Sequence, residues 1–172
     1  MQRELNEKEA AHATAVREMF SGIAKRYDLL NHLLSLNIDK GWRRKVSNEL
    51  RDILEREDAV VLDVACGTGD LSIELDRNAK ARIIGSDFCR PMLTVAQSKP
   101  SGGSGPIPYV EGDALRLPFA DGSFDAVTIA FGLRNLASVP DGLAELLRIL
   151  KPGGRLAVLE FSAPVVPGFG KL

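Results

Sequence analysis

The sequence feature that most constrains the fold is a short apolar run that ends in a glycine-containing turn. Val60–Val64 is mainly β-branched and shows no polar alternation, which is typical of a strand buried on both faces. Strands of this kind belong to parallel sheets, whose crossover connections usually carry helices. Residues 65–70 then follow at once, so the strand is predicted to lead through a tight turn into a helix.

The same alternation of strand and helix continues along the sequence. We predict strands at Arg82–Ser86, Ile107–Val110, Phe124–Ala130 and Arg155–Phe161, and helices at Asp70–Asn78, Pro91–Gln97 and Val139–Leu150. Residues 151–154 are expected to end the last helix and turn the chain. A series of this kind predicts a doubly wound α/β fold with a parallel sheet.

Length, charge and cysteine content limit the classes of protein to which the chain can belong. Its 172 residues suit one structural domain, with residues 1–55 as an N-terminal helical cap and 56–172 as the core. The net charge of −1 comes without a block of Lys and Arg, which disfavours nucleic-acid partners. Cys66 and Cys89, to which we assign no catalytic role, form no disulfide framework. With no membrane-spanning run, these features favour a cytoplasmic protein with at most peripheral membrane contact.

Small and acidic residues follow the first three predicted strands. Gly67 and Gly69 allow a ligand to approach the backbone closely. Asp87 follows the second strand, at about the 20-residue interval where an acid holds ribose hydroxyls in such folds. Asp113 follows the third strand, where its carboxylate can accept a hydrogen bond from an adenine amine. Since the carboxyl ends of parallel strands share one sheet edge, we expect one site.

Each of these features also has a purely structural explanation. The glycine turn can be a tight connection, Asp87 can cap the helix that begins near Pro91, and Asp113 can be a solvated loop acid. Acidic strand ends without a basic phosphate clamp nevertheless suit a cationic, phosphate-free nucleoside better than a dinucleotide. His12 and His32 have no metal-ligand spacing, so we predict no metal site.

A further pair of polar residues follows the predicted strand Phe124–Ala130. Arg134 and Asn135 are expected at its carboxyl end, near where a substrate would lie. Arg134 can stabilise a developing phenolate by charge-assisted hydrogen bonding, and Asn135 can orient the ring oxygen. The alternative for Arg134 is an ordinary surface salt bridge.

Five longer segments are more specific than the glycine turn. They are Phe20–His32, Leu34–Ser35, Asp39–Arg44, Phe131–Asn135 and Leu159–Ser162. Together they resemble the signatures of the menaquinone and ubiquinone biosynthesis C-methyltransferases of the UbiE/MenG type, which are class I S-adenosylmethionine (SAM) methyltransferases. The resemblance covers nearly the whole chain and implies a Rossmann-like three-layer sandwich with a mainly parallel sheet.

The resemblance implies SAM as the cofactor and assigns site residues. The implied cofactor-binding residues are Asp63, Ala65, Gly67, Thr68, Gly69, Asp87, Phe88, Asp113, Ala114 and Ala130. Catalytic roles are implied for Arg134 and Asn135, and substrate-side roles for Tyr27, His32 and Phe131. The sequence departs from the family pattern at Ala65, where many methyltransferases have their first glycine, and at Ala130, where some relatives carry a serine.

The implied reaction is methylation of a ring carbon in a prenylated quinol, either demethylmenaquinol or the equivalent ubiquinone precursor. The apolar segment Leu29–Leu36 is expected to act as a lid and to contact the prenyl tail, although simple packing explains it equally well. Class I methyltransferases generally continue into two further strands that we expect to be missing here. Their absence would weaken turnover and expose Leu156–Leu159 as an edge that favours homodimers. The alternatives are a non-catalytic SAM-binding fragment and an NAD-dependent oxidoreductase.

Overall fold

Five strands and six α-helices alternate along the part of the chain that the computed structural model describes, residues 6–24, 27, 38–77, 79–103 and 105–161. The helices are α1 (Glu7–Ile23), α2 (Ile38–Glu49), α3 (Arg51–Leu54), α4 (Asp70–Asp76), α5 (Arg90–Ser98) and α6 (Val139–Ile149). The strands are β1 (Val60–Val64), β2 (Arg82–Asp87), β3 (Tyr109–Glu111), β4 (Phe124–Ala130) and β5 (Leu150–Leu159). A 3₁₀ helix at Leu133–Asn135 follows β4.

The strands form one parallel sheet in the order β3-β2-β1-β4-β5. β1 lies at its centre, where Leu62 pairs with Ile84 of β2 on one side and Val127 of β4 on the other. The chain order reverses beside β1, so the carboxyl ends of β1, β2 and β4 border one crevice. Ligands of open α/β sheets bind at such a point.

Buried side chains on both faces of the sheet make the three layers. On one face, Val61 and Ile83 pack in a cluster with Leu75 of α4. On the other face, Leu62 packs in a cluster with Leu146 of α6. Burying each large aliphatic side chain contributes about 1.5–3 kcal/mol, so these two clusters hold the layers together. The predicted three-layer α/β fold with a parallel sheet is confirmed.

Most of the predicted elements lie where the sequence pattern indicated, with one clear exception. β1 and β4 have the predicted bounds, and β2 extends one residue further, to Asp87. β5 begins at Leu150, so residues 151–154 belong to the strand and the prediction that they form a separate turn was wrong. Pairing of Phe124 with Leu150 is followed by an irregularity in register, which accommodates the glycines while the ladder continues.

The connection between β3 and β4 is held by an ion-paired network from α6. Glu145 is buried and accepts a hydrogen bond from the Leu117 N–H at 2.7 Å. Arg148 pairs with Glu145 and donates to the carbonyl oxygen of Phe119 at 2.9 Å. Because buried backbone groups require partners, this network fixes the path of the loop into β4. It supports our interpretation of residues 115–125 as mainly structural.

The N-terminal part that the structure describes is helical, as predicted. Asn6 caps α1 in a capping box with Glu9. Val16 is buried, and Phe20 packs in a cluster with Cys89 and Met92 of the α5 region. α1 therefore lies against α5, next to the end of β2. The segment Leu29–Leu36, for which we predicted a lid, lies outside the described residues.

Candidate functional site

A cleft runs along the carboxyl ends of the strands. It encloses about 730 Å³ of empty space including its open mouth. Its walls come from the glycine turn, the ends of β2 and β4, the β3–β4 connection and α1. Of the cofactor-binding residues that the sequence predicted, the cleft lining contains Ala65, Gly67, Asp87, Phe88, Asp113, Ala114 and Ala130.

The turn after β1 uses the left-handed region of backbone conformation three times. Ala65, Gly67 and Gly69 have φ angles of 51°, 56° and 80°. Gly67 lines the cleft, whereas a side chain at Gly69 would overlap the Tyr109 hydroxyl. Gly67 therefore permits close approach of a ligand, and Gly69 permits packing against β3.

Ala65 is the strained member of this turn, because left-handed backbone conformation costs a non-glycine residue about 1–2 kcal/mol. Its methyl group lies where a Cβ on Gly132 would approach to 2.6 Å. We expect Ala65→Gly to raise the free energy of unfolding by about 0.5–1 kcal/mol, measured by urea denaturation, since glycine relieves the strain but enlarges unfolded-state entropy.

The matched control is Ala10→Gly, the same change at an exposed position inside α1. Here the expected effect has the opposite sign, a loss of about 0.5–1 kcal/mol, because glycine disfavours helix. Equal losses for both variants would show that Ala65 is not strained.

Asp87 is the best-positioned acid in the cleft. It is only 6% exposed, and its two carboxylate oxygens accept hydrogen bonds from the N–H groups of Gly67 and Cys89, each at 2.8 Å. Burial raises the pKa of Asp87, while these backbone hydrogen bonds oppose the rise. Each carboxylate oxygen has about two acceptor positions, so Asp87 can also accept from a pair of ribose hydroxyls. The structural and binding interpretations of this residue therefore coexist.

Asp113 lies on the opposite side of the cleft from the glycine turn in sequence, after β3. It is exposed, and its Oδ1 accepts a hydrogen bond from the Leu115 N–H at 3.0 Å. Ala114 beside it is buried. Asp113 is thus a solvated loop acid, as one interpretation had it, and also a lining residue of the cleft.

A smaller cleft of about 410 Å³ adjoins the first, and the two share Tyr27, Ala65, Gly67, Ala130 and Phe131. Its further lining residues include Arg43, Asp63, Thr68 and Asp70. Asp63 and Thr68, both predicted as cofactor-binding residues, therefore belong to this second space.

Asp63 is a buried acid held by two hydroxyl groups. Ser72 donates to it at 2.6 Å and Thr128 at 2.8 Å. Burial raises the pKa of Asp63 to about 6, although both hydrogen bonds lower it. Its carboxylate therefore links β1 to α4 and β4 at the floor of the smaller cleft.

The charge of the larger cleft selects among nucleotide-like ligands. Among the described residues that line it, the charged ones are Asp87 and Asp113, and no lysine or arginine occurs with them. A ligand phosphate would be repelled by both carboxylates, whereas a cationic, phosphate-free nucleoside such as SAM would be attracted. The residues present therefore fit SAM.

The predicted catalytic pair is divided by the structure. Asn135 lines the cleft, and its Nδ2 donates to the carbonyl oxygen of Phe131 at 3.3 Å. Arg134 is half-exposed and forms an ion pair with Glu160, and its guanidinium lies 5.6 Å from the centre of the Phe161 ring. Arg134 therefore makes the salt bridge that we gave as the alternative, and it is not among the lining residues.

The substrate-side predictions meet an aromatic cluster that the sequence analysis missed. Phe131, predicted on this side, has a φ of 57° and packs at 5.9 Å from Trp42 and 4.8 Å from Phe161, measured between ring centres. Tyr27 lines both clefts, and His32 lies outside the described residues. Trp42 and Phe161 were visible only as members of signature-like segments, because nothing local in their sequence indicates that they meet.

Arg43 is the second residue that sequence reasoning did not assign to the site. It extends from α2 into the smaller cleft, where its Nη2 lies 2.8 Å from Asp39 and 3.2 Å from Asp70. Its side chain is only 11% exposed. The position of this arginine depends on how α2 packs on the sheet, which no short-range pattern reveals.

Comparison with known proteins identifies the family. Residues 5–171 match the ubiE/COQ5 methyltransferase family. The chain is 54% identical over 157 residues to the demethylmenaquinone methyltransferase of Deinococcus radiodurans, covering 91% of this chain and 64% of that protein. Identity to the enzyme of the same name from Thermus thermophilus is 50% over 153 residues, covering 88% and 68%.

The solved structures agree with the fold. A SAM-dependent methyltransferase from Aquifex aeolicus superimposes with a TM-score of 0.56 at 24% identity, over 70% of this chain and 65% of that one. The chain spans less than two thirds of the length of the Deinococcus relative. Over that span, the family match and the identities to its relatives show that this chain belongs to the ubiE/COQ5 methyltransferase family.

Proposed function

We propose that this chain binds SAM in the larger cleft and takes part in C-methylation of a prenylated quinol ring, as in the step from demethylmenaquinol to menaquinol or its ubiquinone counterpart. The observation that carries the proposal is the buried carboxylate of Asp87 at the edge of an acidic cleft. Membership of the ubiE/COQ5 family, with relatives named demethylmenaquinone methyltransferase, supports the quinol as acceptor.

The cleft residues divide the cofactor between them by chemistry. Asp87 accepts hydrogen bonds from the ribose hydroxyls, with Gly67 leaving room for the sugar. Phe88 and Ala114 supply apolar surface for the adenine, and Asp113 accepts from its amine. The two carboxylates also favour the positive sulfonium, which is lost when the methyl group leaves.

When bound, SAM supplies an electrophilic methyl group. The ring carbon forms a carbon–carbon bond to that methyl, the sulfur keeps the electron pair of the broken bond and becomes a neutral thioether, and the ring carbon then loses its proton to water. Residues of this chain hold the two reactants in line and exclude water, which lowers the entropic part of the barrier.

Aromatic and apolar side chains make the acceptor side suitable for a lipophilic quinol. Phe131 lines the cleft and packs with Trp42 and with Phe161, which is 64% exposed. Ile38, at the start of α2, is 53% exposed. Exposed apolar side chains near a cleft mark contact with an apolar partner, here the ring and prenyl tail at a membrane surface.

Asn135 and Arg134 are the polar groups proposed to act on the ring oxygen. Asn135 lines the cleft and is held by the Phe131 carbonyl oxygen. Arg134 is paired with Glu160, so stabilising a phenolate in the cleft requires its guanidinium to exchange that partner. Within the described residues, none of the helices is long and apolar enough to cross a bilayer.

An NAD-dependent oxidoreductase is the disfavoured alternative. Its cofactor would place a pyrophosphate beside Asp87 and Asp113, in a lining where the described residues offer no lysine or arginine. Like charges at such distances oppose binding strongly when they are partly buried.

Calorimetric titration with SAM, S-adenosylhomocysteine and NAD tests the cofactor, and radiolabelled methyl transfer to a demethylated naphthoquinol and benzoquinol tests the reaction. Binding of SAM and its product without NAD, together with methyl transfer, is the expected result. Binding without transfer would leave a donor-binding chain and overturn the proposed catalysis. A cooperatively melting protein that binds no SAM would overturn the whole proposal.

A further inference from the structure

The smaller cleft contains a charge arrangement that the proposed nucleoside contacts do not use. Arg43, Asp63 and Asp70 line it, and it joins the larger cleft around Ala65 and Gly67. A ligand whose nucleoside fills the larger cleft can therefore extend a short tail past Gly67 into the smaller one.

Two cations and two carboxylates balance each other at this end of the site. Asp70 lies 3.2 Å from Arg43 and 2.6 Å from Lys99, and Asp39 lies 2.8 Å from Arg43. Asp63, buried beneath them, also interacts electrostatically with Arg43. Opposite charges held side by side, without a large net charge, match a zwitterion better than an anion or a cation alone.

Arg43 is held in place from both sides. Both ion pairs run through Nη2, which carries two of the five N–H donors of a guanidinium. The remaining three donors lie on Nε and Nη1. Planar guanidinium and carboxylate groups make paired, charge-assisted hydrogen bonds, and these strengthen when the cation is largely removed from water, as the 11% exposure of this side chain indicates.

We propose that Arg43 binds the α-carboxylate of the cofactor's amino-acid tail, so that the smaller cleft selects an adenosyl sulfonium that carries a complete amino acid. Asp63 and Asp70 supply the negative charge that the neighbouring ammonium requires. The assignment rests on the proposed function. It makes α2 a part of the cofactor site, through a residue that lies far from the glycine turn in sequence.

The test compares binding of SAM and decarboxylated SAM by calorimetry. The decarboxylated compound keeps the nucleoside, the sulfonium and the ammonium and lacks only the carboxylate. Wild-type protein is expected to bind SAM roughly ten- to hundredfold more tightly than decarboxylated SAM. In Arg43→Gln this preference should fall below about threefold, and affinity for decarboxylated SAM should change little.

Two further variants separate binding from folding. Arg44→Gln removes the same charge from the exposed neighbouring position and should retain the wild-type preference. Asp39→Asn loosens the ion pair that holds Arg43 and should weaken the preference less than Arg43→Gln does. Because the preference is a ratio within one protein, partial unfolding of a variant lowers both affinities and leaves it unchanged.

An unchanged preference in Arg43→Gln, with wild-type protein binding both compounds, would overturn the assignment of Arg43 while leaving the proposed function intact. Wild-type protein that binds neither compound would overturn the proposed function, and the assignment with it.

Discussion

Replacing Asp87 by alanine is expected to weaken SAM binding by at least about a hundredfold, because two hydrogen bonds from ribose hydroxyls to a buried carboxylate are lost, each worth about 1.5–3 kcal/mol. The residue is 6% exposed, so water cannot readily replace the missing acceptor. Calorimetry with SAM and with S-adenosylhomocysteine measures the effect. Both ligands should weaken equally, since the two share the ribose.

Stability must be followed in the same experiment, because Asp87 also accepts from the N–H groups of Gly67 and Cys89. Leaving both donors buried without partners costs about 1–3 kcal/mol each. Asp87→Asn keeps one acceptor oxygen and should fall between wild type and Asp87→Ala. Glu111→Ala removes an exposed acid at the end of β3 and should bind normally. Normal affinity in a cooperatively melting Asp87→Ala protein would contradict the assignment.

The unfolding free energy of wild-type protein is expected to carry a pH-dependent loss that arises from Asp63. Its pKa is raised from 3.8 to about 6 by burial, so the folded protein binds a proton more tightly than the unfolded chain does. Stability therefore falls as pH rises from about 4 to 6 and then levels off, by about 3 kcal/mol in total, since one pKa unit corresponds to about 1.4 kcal/mol.

Asp63→Asn should lack this loss, because the amide does not ionise and can still accept from Thr128 or Ser72. Urea denaturation of both proteins at intervals from pH 4.5 to 7.5 gives the difference curve, which should rise by about 2 kcal/mol in favour of the variant over this window. Parallel curves for the two proteins would show that Asp63 does not titrate in the folded state as proposed.

Asp125 provides a control of opposite sign. Burial raises its pKa, but Lys151, the Val60 N–H and Arg56 outweigh burial and hold the pKa below its ordinary value. Its contribution to stability is thus present above the unfolded pKa and lost as pH falls. Asp125→Asn should therefore lose more stability at pH 7 than at acidic pH, whereas Asp63→Asn should gain.

The local part of the fold and the cofactor edge could be predicted from sequence. β1 and β4 were predictable because strands buried on both faces are apolar without interruption, and that pattern depends on neighbouring residues alone. Asp87 was predictable because a strand end and a glycine turn fix its distance from the ligand. The prediction that residues 151–154 form a turn failed, since pairing with β4 overrode the local preference of Pro152 and the glycines.

What could not be predicted depends on side chains that are distant in sequence. Arg134 looked like a group free to act on a substrate, but Glu160, 26 residues away, pairs with it. Arg43 meets Asp70 across α2 and α4, and Trp42 meets Phe131 and Phe161 from three separate segments. Such contacts arise from the packing of whole elements, which hydrophobic periodicity describes only as faces.

The placement of α1 links its own local unfolding to cofactor concentration. Ala13 and Phe20 line the cleft, yet within the described part of α1 Val16 is the buried residue that anchors the helix. A ligand that fills the cleft contacts α1 only while the helix is docked, so occupancy must stabilise the docked state by the free energy of those contacts. Proteolysis at residues 7–23 would therefore slow as SAM is added, while cleavage elsewhere kept its rate, and the N-terminus would report occupancy without any measurement of methyl transfer.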